Sequence, residues 1–176
     1  MEQKRLFLSI NFTAETKMVL QNCIETLKFQ AKRGNFSNAG NLHLTLVFIG
    51  ETNREDDIIK IMDTVNCPSF ALTLHKSGKF AHNRGDIYWM GVTSNPDLLR
   101  LQSDLTRKLQ AANFKIENRP YRPHITLGRS VVADNPKIEV PEHSFTVDRI
   151  HLMQSLQQNS NLSYLSLYEK HFDNLY

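Results

Sequence analysis

Two cysteines, Cys23 and Cys67, are all that the 176 residues contain. That is too few for a disulfide scaffold, and neither sits in a Cys-x-x-Cys pair or a Cys/His array, which points to free thiols in a reducing compartment and away from zinc. Long apolar runs are missing too. After Lys4-Arg5, the stretch Leu6-Phe7-Leu8 is interrupted by Ser9 and Asn11, too short for a signal segment or a membrane span, so a cytoplasmic protein with no membrane partner is expected. No linker, low-complexity tract or block of like charge divides the chain, and residues 1–176 are expected to form a single two-lobed domain and a monomer. The net charge of +3 permits an anionic partner without demanding one.

What is present is alternation of two kinds. Leu6, Leu8, Ile10 and Phe12 at every second position predict a first strand, and Thr13 is placed to cap the segment after it. Met18, Leu20, Cys23, Ile24, Leu27 and Ala31 recur at helical spacing, with Lys32-Arg33-Gly34 as the stop signal and a loop from Asn35 to Asn41. Thr52 to Glu55 has capping-box spacing ahead of the stripe Ile58, Ile59, Met62 and Val65. Strands are predicted at Phe70 to Leu74 and Ile87 to Val92, with a helix at 96–112 whose buried stripe is Leu98, Leu101, Leu105, Leu109 and Ala112. Two closing strands come last, Phe145 to Gln154 and Tyr164 to Phe172, joined by a polar turn at Gln157 to Asn161. Strands mixed with a few helices and no regular βαβ rhythm indicate an α+β fold.

The informative stretch is Asn41-Leu42-His43-Leu44-Thr45-Leu46-Val47-Phe48-Ile49-Gly50, because its pattern returns as Pro123-His124-Ile125-Thr126-Leu127-Gly128, 124 − 43 = 81 residues later. With seven His and eleven Thr, one His-x-Thr arises by chance about 0.4 times, so a single copy would carry little weight. Two copies, each in a strand-like apolar run and each followed by Leu, carry much more. Period-2 alternation puts His43 with Thr45 on one strand face and His124 with Thr126 on another. An inward-facing polar pair needs partners, which a functional cleft supplies. The repetition suggests two pseudo-symmetric lobes, each an antiparallel sheet with outer helices, facing one another across that cleft. His75, His82, His143, His151 and His171 lack such a pattern and are read as structural or surface residues.

The two motifs resemble those of the two-histidine phosphoesterase superfamily. Their flanks are similar to its RNA 2′,3′-cyclic phosphodiesterases, also called 2′-5′ RNA ligases. The matching parts are Leu6 to Ile10, Asn41 to Gly50, Gly78-Lys79-Phe80, Ile87 to Val92, Arg119 to Arg129, and Ile150 to Ser155 with Tyr164, nearly the whole chain. The resemblance implies two antiparallel sheets enclosing a cleft with helices outside, and carries catalytic roles onto His43, Thr45, His124 and Thr126. It also matches Arg129 to a substrate-binding Arg, although strict alternation from His124 turns that side chain to the opposite face unless a bulge at Gly128 intervenes. Two departures stand out: Phe36 or a neighbour replaces a Trp found before the first motif in many members, and the Gln157 to Asn161 turn lacks the usual Gly.

Opening a cyclic phosphate is an in-line displacement that needs a base on one side of phosphorus and an acid on the other, and two imidazoles with ordinary pKa values near ~6.5 can divide those roles. Thr45 and Thr126 supply hydroxyl donors for the non-bridging oxygens. No metal or cofactor is called for. The resemblance implies that His43 is the proton donor to the 3′ oxygen and His124 the acceptor from water, giving a 2′-phosphate. Arg119, Arg122 and Tyr121 are candidate contacts to RNA ends or nucleoside 2′,3′-cyclic phosphates. Phe48 is a further stacking candidate, but its parity with Leu44 and Leu46 places it in the core. The alternatives are a 2′-5′ RNA ligase, a 2′-5′ oligonucleotide phosphodiesterase, and a non-catalytic module that only binds RNA ends.

Overall fold

The computed structural model describes residues 2–159 and 161–172. Its strands are β1 (Lys4–Asn11), β2 (Ala31–Phe36), β3 (His43–Thr52), β4 (Phe70–Phe80), β5 (Asp86–Val92), β6 (His124–Ala133), β7 (Ser144–Val147), β8 (Arg149–Gln158) and β9 (Asn161–His171). The helices are α1 (Ala14–Gln30), α2 (Glu55–Asp63) and α3 (Pro96–Ala111), with one 3₁₀ turn at Ala39–Asn41. The strands form two sheets, ordered β3-β1-β8-β9 and β2-β6-β5-β4-β7, and the paired strands run antiparallel. This is the α+β, two-lobed arrangement expected from the sequence.

The strands alternate for a reason visible in burial. Leu6, Leu8 and Ile10 on β1, Leu44 and Leu46 on β3, and Ile125 and Leu127 on β6 turn inward to one apolar cluster that also takes Leu20, Ile24 and Leu27 of α1 and Leu98, Leu101, Leu105 and Leu109 of α3. The helices cross between lobes. α1 comes after β1 of the first sheet yet packs closest to β2 and β6 of the second, while α3 comes after β5 of the second sheet and packs against β3 of the first. Thr13 caps α1, its hydroxyl accepting from Thr16 N at 3.4 Å, and Asn95 caps α3 by accepting from Asp97 N and Leu98 N at 2.8 and 3.1 Å.

Three readings of local structure need correction. α1 ends at Gln30, not at Lys32-Arg33-Gly34, because the chain turns extended at Ala31 and continues as β2 along the edge of β6. An edge strand of this kind is polar and barely alternates, so its pattern resembles a loop. Gly34, taken for a helix stop, makes room instead: a Cβ there would lie 2.9 Å from Val131 Cγ2. Second, Met18 is 66 % exposed, so it lies outside the stripe that buries Leu20, Cys23, Ile24 and Leu27. Third, Phe145 to Gln154 is two strands, not one. β7 pairs with β4, β8 pairs with β1, and the chain changes sheets at Asp148, whose carbonyl accepts from Phe172 N at 2.8 Å. In the turn after β8, Asn159 takes the left-handed conformation (φ 47°) that a Gly would adopt more readily, and Ser160 lies outside the described residues.

Candidate active site

His43 opens β3 and His124 opens β6. Each imidazole is fixed by the carbonyl two residues before it: His43 Nδ1 donates to Asn41 O and His124 Nδ1 donates to Arg122 O, both at 2.7 Å. A carbonyl only accepts, so Nδ1 carries the hydrogen in both rings and Nε2 is left for proton exchange. His43 Nε2 lies 3.0 Å from Thr45 Oγ1. The neutral ring accepts from that hydroxyl; protonation reverses the bond and releases the hydroxyl hydrogen to another acceptor. Thr126, by contrast, has no hydroxyl hydrogen bond among the described residues, and it stands opposite Trp89 across the ladder.

Immediately after each Thr the ladder slips by one residue. In β3 the register passes from Ser9↔Thr45 to Leu8↔Val47, with Leu46 and Val47 both buried. In β6 it passes from Trp89↔Thr126 to Tyr88↔Gly128; Leu127 is buried, and a Cβ on Gly128 would point inward, 2.9 Å from Val131 Cγ2. These are β-bulges, and each reverses the parity of the residues beyond it. Phe48 therefore shares a face with Thr45 and is 44 % exposed, with Arg5 Cζ 5.0 Å from its ring centroid, so the core placement expected from strict alternation is corrected. Arg129 likewise returns to the face of Thr126. Its charge lowers the pKa values of His43, His124 and Tyr164 alike, so it is near enough to both motifs to act on them.

Burial pulls the His43 pKa below the ordinary histidine value against the raising effect of the Asn41 carbonyl, and Arg129 and His124 lower it further. Burial also lowers that of His124, the Arg122 carbonyl opposes it, and Arg129 and Arg119 add to the lowering. Arg119 is exposed and paired with Glu117 at 3.1 Å, and Arg122 is exposed at the rim. Tyr121 ties the lobes: its ring packs against the core, and its hydroxyl donates to Thr45 O at 2.9 Å. Ser37, which follows β2 of the second sheet, donates its Oγ to Thr126 O at 2.8 Å, a bond within that lobe.

Sequence reasoning gave no role to several neighbours. Phe7 and Tyr164 lie 5.0 and 4.9 Å from the His43 ring, centroid to centroid, and Phe80 lies 5.1 Å from that of His124. Phe7 had a signal, being the one large apolar residue out of phase in β1. A groove of about 650 Å³ lies elsewhere, where β1 meets α1 and β7 meets β8. Several of its polar groups are engaged with protein: His143 Nε2 with Thr16 Oγ1 at 2.9 Å, His151 Nδ1 with Ser166 Oγ at 3.1 Å, and Arg149 with Asp148 at 2.9 Å. Among the described residues no His, Cys, Asp and Glu side chains gather into a set of three or more that could hold a metal, and no helix is long and apolar enough to cross a membrane.

Comparison with known proteins agrees with this geometry. An RNA 2′,3′-cyclic phosphodiesterase of Thermotoga maritima is 28% identical, the match covering 96% of both chains. An RNA 2′,3′-cyclic phosphodiesterase of Escherichia coli is 33% identical over 73% of each chain. The crystal structure of E. coli LigT complexed with 3′-AMP superposes with a TM-score of 0.83 at 27% identity, covering 98% of this chain and 99% of that one. The family model for the 2′-5′ RNA ligase superfamily matches residues 17–159, and the chain belongs to that superfamily.

Proposed function

We propose that this chain hydrolyses a terminal RNA 2′,3′-cyclic phosphate to a 2′-phosphate, without a metal, using His43 as acid and His124 as base. The observation that carries the reading is the duplication itself: two imidazoles, each with Nδ1 spent on a carbonyl at 2.7 Å, each beside a Thr, and both under the influence of Arg129. Water attacks phosphorus as His124 Nε2 takes its proton, the bond from phosphorus to the 3′ oxygen breaks, and protonated His43 delivers a proton to that oxygen. Thr45, Thr126 and Arg129 stabilise the charge on the non-bridging oxygens. A bound phosphate opposes the lowering of both histidine pKa values, so substrate binding helps to load the acid with its proton.

The exposed Phe48 ring, with Arg5 beside it, offers a stacking surface for a nucleobase at the edge of the site, and Arg119 and Arg122 add positive charge at the rim. The names of the relatives support this substrate class. Incubation with a nucleoside 2′,3′-cyclic phosphate should yield the nucleoside 2′-phosphate. Recovery of the 3′-phosphate would reverse the assignment of the leaving oxygen, and tight binding with no turnover would leave an RNA-end-binding module. Parallel incubation with 2′-5′-linked dinucleotides, with identification of the products, separates hydrolysis of the cyclic phosphate from 2′-5′ cleavage or ligation.

A further inference from the structure

We infer that Tyr164, brought across the sheet by β9, is a positioning residue for His43. Three rings close on one another here: Phe7 to His43 at 5.0 Å, Phe7 to Tyr164 at 5.1 Å and His43 to Tyr164 at 4.9 Å, the last pair nearly perpendicular at 84°. β9 also reaches His43 by a second route. Asn41, whose carbonyl takes the His43 Nδ1 hydrogen, donates its side-chain amide to Leu162 O at 2.7 Å, two residues before Tyr164. One strand thus holds both the ring and the group that fixes the ring's tautomer. His124 has a looser setting, with Phe80 as its aromatic neighbour and the Arg122 carbonyl on Nδ1.

An imidazole exchanging a proton with substrate has to present Nε2 within hydrogen-bond reach, and a displacement of about 1 Å can cost ~100-fold. Phe7 and Tyr164 leave the His43 ring little freedom to rotate away from Thr45. They also contribute to the burial that lowers its pKa; the charged or titratable groups facing it are Arg129 and His124 from β6 and Tyr164 from β9, while β1 contributes Phe7. This inference rests on the proposed acid role of His43, but its test separates the two.

Tyr164→Leu and Tyr164→Phe are compared in the full chain by kcat and KM on a nucleoside 2′,3′-cyclic phosphate and by NMR titration of the His43 and His124 imidazoles. The expected result for Tyr164→Leu is a kcat about 10- to 100-fold lower with KM changed less than about threefold. His43 should titrate at higher pH as its burial is relieved, with His124 unmoved. Tyr164→Phe, which restores the ring, should recover most of the kcat loss. Asn41→Ala, which cuts the tie to Leu162 without opening the core, should move His43 alone and serves if Tyr164→Leu does not fold. A wild-type His43 titration in both Tyr164→Leu and Asn41→Ala overturns the inference. So does an equal loss in Tyr164→Phe and Tyr164→Leu, which would assign the effect to the hydroxyl, or a parallel shift of both histidines, which would mark general loosening. Absence of turnover in the wild-type protein would refute the catalytic reading and leave the titrations to decide the positioning.

Discussion

Tyr121→Phe removes a single oxygen, the one that bonds the Thr45 carbonyl across the cleft at 2.9 Å. The hydroxyl of Tyr121 is shielded from water, and burial pushes its pKa up, so the lost bond is not replaced by solvent at little cost. A typical hydrogen bond contributes about 1 kcal/mol net, and leaving a buried carbonyl without its partner raises the cost to about 1–3 kcal/mol. For a chain of 176 residues the unfolding entropy is roughly 0.37 kcal/mol/K, so the expected loss in Tm is about 3–8 °C. Thr45 is also the residue bonded to His43 Nε2, so its displacement should lower kcat, by about tenfold, more than it raises KM. Ser37→Ala cuts a bond to Thr126 O within the second lobe, and Ser37 N still donates to Leu127 O at 2.9 Å, so its effects should be smaller. Calorimetry of both variants, with kcat and KM on a cyclic phosphate, tests the scheme. A Tyr121→Phe protein melting within about 1 °C of wild type at unchanged kcat would refute the claim that the tie holds the first motif in place.

Replacing either His43 or His124 by Ala should lower kcat by ~100-fold or more, with the double variant much less than multiplicatively worse. A substrate whose leaving group needs no proton should rescue His43→Ala and not His124→Ala; the opposite pattern reverses the roles. Thr45→Ala or Thr126→Ala should reduce kcat by ~10- to 1,000-fold with a smaller change in KM, and wild-type kcat in both would show that the hydroxyls do not bear on the reaction. Activity should survive EDTA; loss on chelation, restored by a divalent ion, would overturn the metal-independent scheme. His43, His124 and His151 all have pKa values lowered chiefly by burial, so the unfolded chain binds more protons than the folded one below about 6.5. Their contribution to stability is present above that pH and is lost as pH falls through the folded values. Tm in a phosphate-free buffer should drop between pH 7.5 and 5.5, and a rise would contradict the assignment.

The motif residues and the core were legible because each leaves a periodic trace. Leu6, Leu8, Ile10, Leu44, Ile125 and the Leu stripe of α3 are spaced by the geometry of the element that buries them. Phe48 and Arg129 were harder because each lies beyond a bulge, and parity counted from the His then assigns the wrong face. Gly128 marked one of those slips, but Leu46-Val47 carries no such mark. β2 was missed because its partner β6 provides the ladder that its polar sequence does not announce, and its Gly34, which leaves room for Val131, has the look of a helix stop. Asp148 hides a change of sheet inside a run that alternates on both sides of it. Tyr164 and Asn41 meet around His43 although 164 − 41 = 123 positions separate them, a relation that no local pattern records.

The exchange of helices between sheets bears on how such a molecule can be divided. A half-chain ending after β5 would keep α1 while losing β6, the strand beside β2 against which α1 packs; the remaining half would keep α3 without β3. Each fragment would expose an apolar helix face and an apolar sheet face that match those of the other. The strands are divided in the same way, since the first half holds β1 and β3 of one sheet with β2, β4 and β5 of the other, and the second half holds β8 and β9 with β6 and β7, so neither half completes a sheet without its partner. Because the two motifs share one polypeptide, the equivalent positions five residues beyond each His need not match, and they hold Phe48 in one and Arg129 in the other.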